Sequence, residues 1–204
     1  LRALVVLAHP LKDSLCAHLA HVAIDALRAR GATVDVLDLY AEGFSPVLTA
    51  DERRLHYSTP APEPDVAALQ ARLAAADTLV LVFPTWWFSL PAILKGWFDR
   101  VWAPKFAYEP GTPIRPLLTN LKTCLVVTTL GSPWWIDRLA MRQPVKRVLK
   151  TALLGACAPQ ARFTMLSLHA AENVAPDTVE SFAKRIRKSL AATRPKAPYV
   201  TVIR

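Results

Sequence analysis

The apolar residues of this chain fall into five short runs separated by stretches of helical spacing. Ala3–Ala8 is an unbroken apolar run. Such a run suits a strand buried on both faces of a parallel sheet, which has no solvent face to alternate towards. From Ser14 to Arg30 apolar residues recur at Leu15, Leu19, Val22, Ala23, Ala26 and Leu27. That spacing predicts a helix capped by Ser14 or Asp13 and stopped by Gly31. Thr33–Leu37 reads as a second strand, closed by Asp38-Leu39-Tyr40. Tyr40 to Pro64 is polar and proline-bearing, a long surface excursion with one helical turn at Ala50–Leu55. Asp65–Ala76 is helical, Thr78–Phe83 a third strand, and Pro91–Trp102 a helix with proline in its first turn. Trp102–Asn120 reads as irregular, Lys122–Thr129 as a fourth strand, and Val145–Leu154 as a helix started by Pro144 and stopped at Gly155. Arg162–Leu168 is a fifth strand and Pro176–Ala192 the last helix, leaving a peripheral tail after Arg194. This alternation predicts an α/β protein, an open parallel sheet with helices on both faces.

Length adds one constraint: 204 residues suit a single domain spanning 1–204. The apolar runs, such as Leu79–Phe83 and Leu125–Val127, are far shorter than the ~20 residues of a membrane span, so no membrane insertion is expected. No signal peptide is legible, and because Leu1 is not a natural start a short upstream segment is expected. Three cysteines (Cys16, Cys124, Cys157) without CxxC spacing read as free thiols of a cytoplasmic protein. The net charge of +9 is spread over helix faces, which argues against a nucleic-acid partner and suits solvated surface. Its densest group is Arg138, Arg142, Lys146, Arg147 and Lys150, which leaves a pull on NADPH or an acidic partner open.

In open parallel sheets ligands bind beyond the carboxyl ends of the strands, beside the switch in strand order. Three segments therefore carry the candidate chemistry. His9-Pro10-Leu11-Lys12-Asp13-Ser14 joins a strand to a helix N-terminus, where free N–H groups favour a phosphate, with Ser14 and His9 as added donors. Neither GxGxxG nor a P-loop is present. Pro84-Thr85-Trp86-Trp87-Phe88 sets aromatics where a buried strand emerges, suited to a planar ring, with packing over the sheet end or at a dimer contact as the lesser alternative. Thr128-Thr129-Leu130-Gly131 offers hydroxyls and a close backbone amide. His18 and His21, three apart on the first helix without a carboxylate cluster, His56 in the long loop and His169 at a strand end read as ordinary positions, and no metal site is expected.

Leu7-Ala8-His9-Pro10, Asp38-Leu39-Tyr40 with Phe44 and Pro46, the stretch Phe83-Pro84 through Trp87-Phe88 to Pro91–Val101, and Thr128-Thr129 resemble the NAD(P)H:quinone oxidoreductase family, that of DT-diaphorase and its bacterial relatives. The resemblance runs from about Ala3 to Leu190, with Phe83–Val101 its most specific part. It implies a flavodoxin-like fold with strand order 2-1-3-4-5 and a homodimer holding FAD, with FMN as the alternative. It also implies two-electron reduction of a quinone or similar small acceptor by NAD(P)H. Carried over by position, His9, Ser14, Leu15 and Cys16 would line the phosphate loop, and Pro84, Thr85, Trp86, Trp87 and Phe88 would follow the isoalloxazine ring. Thr128, Thr129, Leu130 and Gly131 would hold its polar edge, and Trp87, Tyr108 and Trp135 would meet the substrate. Tyr108 matches a tyrosine that reaches the acceptor site, that of the partner subunit.

The chain departs from that pattern at two places. Cys16 stands where the family commonly has asparagine. The tyrosine and histidine that follow the Thr-Thr-Gly loop in DT-diaphorase have no equivalents in Ser132–Arg138, so no catalytic side chain is assigned. A flavin-binding ancillary subunit of a membrane potassium-efflux system is the alternative reading.

Overall fold

The computed structural model describes residues 1–58 and 62–192; the expected tail after Arg194 lies outside the described residues. In chain order the elements are β1 (Arg2–Leu7), α1 (Leu15–Arg28), β2 (Thr33–Asp38), α2 (Ala50–Leu55), α3 (Pro64–Ala75), β3 (Thr78–Pro84) and α4 (Ala92–Val101). A two-stranded ribbon follows, β4 (Tyr108–Glu109) and β5 (Arg115–Pro116), then β6 (Thr123–Thr129). A π-helical turn Ile136–Ala140 leads to α5 (Pro144–Arg147), the π-helical stretch Val148–Leu154, α6 (Gly155–Cys157), β7 (Arg162–Leu168) and α7 (Pro176–Ala191).

The five long strands pair in parallel in the order β2-β1-β3-β6-β7, as the expected flavodoxin-like order requires. Their alternation splits the core in two. Leu4, Val6, Leu79, Leu81 and Val126 face α3, α4 and the Pro144–Cys157 segment, while Val5, Val80, Val82, Leu125 and Val127 face α1 and α7. Every residue of β3 and β6 is buried, which is why β3 reads as an apolar run and β6 carries the apolar stretch Cys124–Val127 between threonines. Among the described residues no helix is long and apolar enough to cross a membrane.

Two expectations need correction. The Trp102–Asn120 stretch is not wholly irregular, since Tyr108 and Glu109 pair antiparallel with Pro116 and Arg115. Gly155 does not stop a helix but sits inside one, at φ −57° and ψ −36°. The stop comes at Ala158 (φ −149°), because Pro159 disfavours helical backbone in the residue before it. The segment after Trp135, for which the sequence predicted no element, is π-helical over Ile136–Ala140.

The long excursion is tied down. Thr49 and Glu52 form a capping box on α2, and Glu52 also binds the buried Arg100 of α4 at 2.7 Å. Arg100 further donates to the Ser45 carbonyl and pairs with Asp65 at 3.0 Å. A guanidinium buried without such acceptors would be very costly.

Candidate functional site

The reversal in strand order lies between β1 and β3, and three loops leave the carboxyl edge around it. Hydrogen bonds continue the ladder past the strand ends: Ala8 N–H donates to Val82 O, Thr85 N–H to Thr129 O at 2.7 Å, and Leu130 N–H to Leu168 O. The loops are therefore held at fixed relative heights.

The first loop ends in a capped helix. Ser14 Oγ accepts from Ala17 N–H at 3.1 Å, which leaves its own hydroxyl proton to donate. The N–H groups of Leu15 and Cys16, in the first turn of α1, have no carbonyl within the helix to meet. No acidic residue lies in that turn to compensate the dipole. His9 Nδ1 accepts from Leu11 N–H at 3.0 Å, so a neutral ring carries its proton on Nε2. This arrangement can hold a phosphate.

In the second loop Ser89 N–H donates to Trp86 O at 2.9 Å, closing a turn whose central residues Trp87 and Phe88 have φ of 50° and 55°. Two successive left-handed residues are the pattern of a type I′ turn, which usually takes Asn-Gly. Aromatic residues there cost about 1–2 kcal/mol each. The turn presents Trp87, 97% exposed, with Trp86 half-exposed beside it. The Trp86 ring lies 6.4 Å from that of His9, so the first two loops meet. Strain of this kind clusters where a ligand is held.

The third loop uses most of its expected donors internally. Thr128 Oγ1 is 2.8 Å from Thr85 Oγ1 and fully buried, Thr129 Oγ1 lies against the Cys16 thiol, and the Leu130 N–H is taken by Leu168. Gly131 is exposed at the rim, where a Cβ would meet the Glu172 carboxylate. Trp134 and Trp135 stand half-exposed just beyond.

The residues expected at the phosphate, ring and polar edge are thus brought to one end of the sheet. Tyr108 is not among them. It lies in the ribbon that feeds β6 from its amino end, packed against the core near Tyr57 and Cys157, and burial raises its pKa.

One pair was missed. His169, read from sequence as an ordinary strand end, has its Nε2 3.1 Å from the buried Asp137 Oδ2. The loops after β6 and β7 are stitched together around this pair, with Ala170 N–H on Ser132 O and Ala171 N–H on Leu130 O. The signal was a lone acid in the segment after β6 and a lone histidine at the end of β7, strands that turn out to be neighbours.

Cys16 packs and does not act as a thiolate. Burial pushes its thiol up to about 11, only partly opposed by the Thr129 hydrogen bond; burial puts Cys124 at about 12 and Cys157 at about 11. All three are free and buried. Each folded pKa lies above the ordinary value of 9.0, so their contribution to stability is fully present below pH 9 and is lost as pH rises through 11–12. The folded chain should resist alkylation at pH 8 and label at three sites in urea. Its urea midpoint should hold to about pH 9 and then fall. Rapid labelling of Cys16 in the native chain would contradict this packing.

Comparison with known proteins agrees with this architecture. A family model described as flavodoxin-like fold matches residues 2–194. Rat NAD(P)H dehydrogenase (quinone) 1 is 38% identical over 148 residues, covering 64% of this chain and 54% of that protein. The NAD(P)H oxidoreductase YcaK of Escherichia coli K12 is 44% identical over 111 residues, covering 54% and 57%. The chain therefore spans little more than half the length of these curated relatives. Among solved structures, the NAD(P)H:quinone oxidoreductase of Methanothermobacter marburgensis superposes with a TM-score of 0.83 at 24% identity, covering 97% of this chain and 98% of that one. General stress protein 14 of Treponema denticola, in complex with FMN, gives 0.62 at 27% identity, covering 94% and 98%. Matched over nearly its whole length and built on the strand order β2-β1-β3-β6-β7, the chain belongs to the Flavodoxin_2 family of flavodoxin-like fold.

Proposed function

We propose that this chain is a flavin-dependent NAD(P)H oxidoreductase that passes two electrons to a quinone or a related small acceptor. The observation that carries the reading is the meeting of an anion cradle with a strained, solvent-facing aromatic turn, His9 against Trp86 at 6.4 Å. The named activities of the rat and Escherichia coli relatives support the donor and acceptor classes.

The residues present fit a flavin. Ser14 and the N–H groups of Leu15 and Cys16 would take its phosphate, with His9 donating from Nε2. Pro84 to Phe88 would lie along the ring, and Thr129 to Gly131 beside its polar edge. Bound there, the flavin would supply hydride acceptance and release at one ring nitrogen. The chain's own residues position and exclude water; the Trp87–Phe88 turn would wall one face. We propose FAD on the resemblance to DT-diaphorase, with FMN, seen in the Treponema denticola relative, as the other outcome. The mass of the released cofactor decides between them.

We propose a homodimer, which two observations support. Trp86 and Trp87 leave a large apolar load in solvent beside the proposed flavin site. Tyr108 sits away from its own chain's loops, so it would serve the acceptor only from a second copy. Three free buried thiols accord with a reducing, cytoplasmic setting. No observation favours the potassium-efflux alternative.

With one open face, donor and acceptor would occupy the same place in turn. Anaerobic stopped-flow should show NAD(P)H alone bleaching the flavin in one phase and a quinone restoring its colour. Steady-state double-reciprocal plots should run parallel. Intersecting lines, or a purified chain that takes up no flavin, would overturn the scheme.

A further inference from the structure

The segment that follows Gly131 carries five basic residues, Arg138, Arg142, Lys146, Arg147 and Lys150, and a single acid, Asp137. In the fold that acid is turned inward. It is 6% exposed and held by His169 from the neighbouring strand end, so it neutralises none of the cations. Arg138, Arg142, Arg147 and Lys150 are exposed and make no ion pair among the described residues. Arg142 and Gln143 both have positive φ, 56° and 50°, and Gln143 N–H is fixed on Asp137 O at 2.8 Å. The buried His169–Asp137 pair thus anchors a strained turn that carries an unpaired guanidinium. In sequence, half-exposed Trp134 and Trp135 lie between this turn and Gly131 at the rim of the proposed flavin site.

We propose that Arg138 and Arg142 recognise the 2′-phosphate of NADPH, making this chain selective for NADPH over NADH. The inference rests on the flavin-enzyme reading above and names its electron donor. A dinucleotide whose nicotinamide stacks at the Trp87 turn extends well beyond the ring. Its adenosine end needs an aromatic surface and, if phosphorylated, an unpaired guanidinium fork. Both stand on this one loop. Arginine presents a planar set of donors that matches a phosphate, and no competing carboxylate has to be displaced.

The test uses the flavin-loaded chain and compares kcat/KM for NADPH and NADH at low ionic strength. The expected ratio is at least about tenfold in favour of NADPH. In the double variant Arg138→Gln/Arg142→Gln it should fall to near unity, mainly through KM for NADPH. Lys184→Gln/Lys188→Gln removes equal charge from α7 and should leave the ratio unchanged. Calorimetry gives a readout independent of turnover: adenosine 2′,5′-bisphosphate should bind the flavin-loaded chain more tightly than 5′-AMP, and the arginine variant should abolish the difference. A ratio near unity in the native chain overturns the inference alone. So does a ratio that survives the double variant, or one that the α7 control lowers equally. A chain that takes up no flavin overturns the reading beneath it as well.

Discussion

Replacing Gly96 with alanine should lower the stability of the fold by about 3 kcal/mol, the upper range for overpacking a core site. A Cβ at Gly96 would overlap the carbonyl oxygen, Cα and Cβ of Pro46. These are backbone and ring atoms, which cannot swing aside as a long side chain can. The contact is where the excursion crosses α4, one turn before Arg100 gathers Glu52, Asp65 and the Ser45 carbonyl. Separating Pro46 from α4 therefore strains the buried ion pairs as well, and a guanidinium that loses its acceptors in the interior is costly. For a chain of this size the thermal midpoint should drop by roughly 6–12 °C. Thermal unfolding of the variant, followed by tryptophan fluorescence, checks it. A midpoint within 1 °C of the parent, by our estimate from the same scaling, would mean that the crossing is loose.

The second large effect concerns binding and leaves stability alone. Ser14→Asp keeps a helix cap, because aspartate accepts from the same first-turn N–H groups and suits the positive helix end. It also places a carboxylate where the proposed phosphate would sit. Losing one charge-assisted hydrogen bond and gaining a like charge amounts to about 3 kcal/mol, roughly a hundredfold in flavin affinity. The variant should unfold at the parental urea concentration yet purify without colour. Full flavin occupancy would place the phosphate away from α1.

Much of this was legible in the chain before any fold was known. β3 and β6 are buried on both faces, so each announces itself by an apolar stretch. The helix cap at Ser14 and the turn into Trp86–Phe88 are local in sequence and could be read locally. What escaped depended on which strands become neighbours. His169 and Asp137 are unremarkable apart and meet only because β6 and β7 pair, which no periodicity encodes. The burial of Arg100 is set by an excursion that starts more than fifty residues earlier, which no pattern local to α4 encodes. Gly155 misled because a glycine near a helix end usually stops it, whereas here the neighbouring Ala158-Pro159 does so and the glycine remains helical. At the proposed polar edge, what the sequence could not show is which donors are already engaged. Thr128 and Leu130 have the right chemistry, but the sheet itself uses their hydrogen-bonding capacity.

The left-handed pair Trp87–Phe88 separates two demands on the sequence. Glycine or asparagine at either position would relax the turn without disturbing a single core contact, so thermodynamic stability alone would disfavour the aromatics. Repacking this protein for heat resistance would accordingly find its easiest gains in the residues proposed to face the flavin. A stabilised variant obtained blindly would tend to be a better-folded chain with a blunted site.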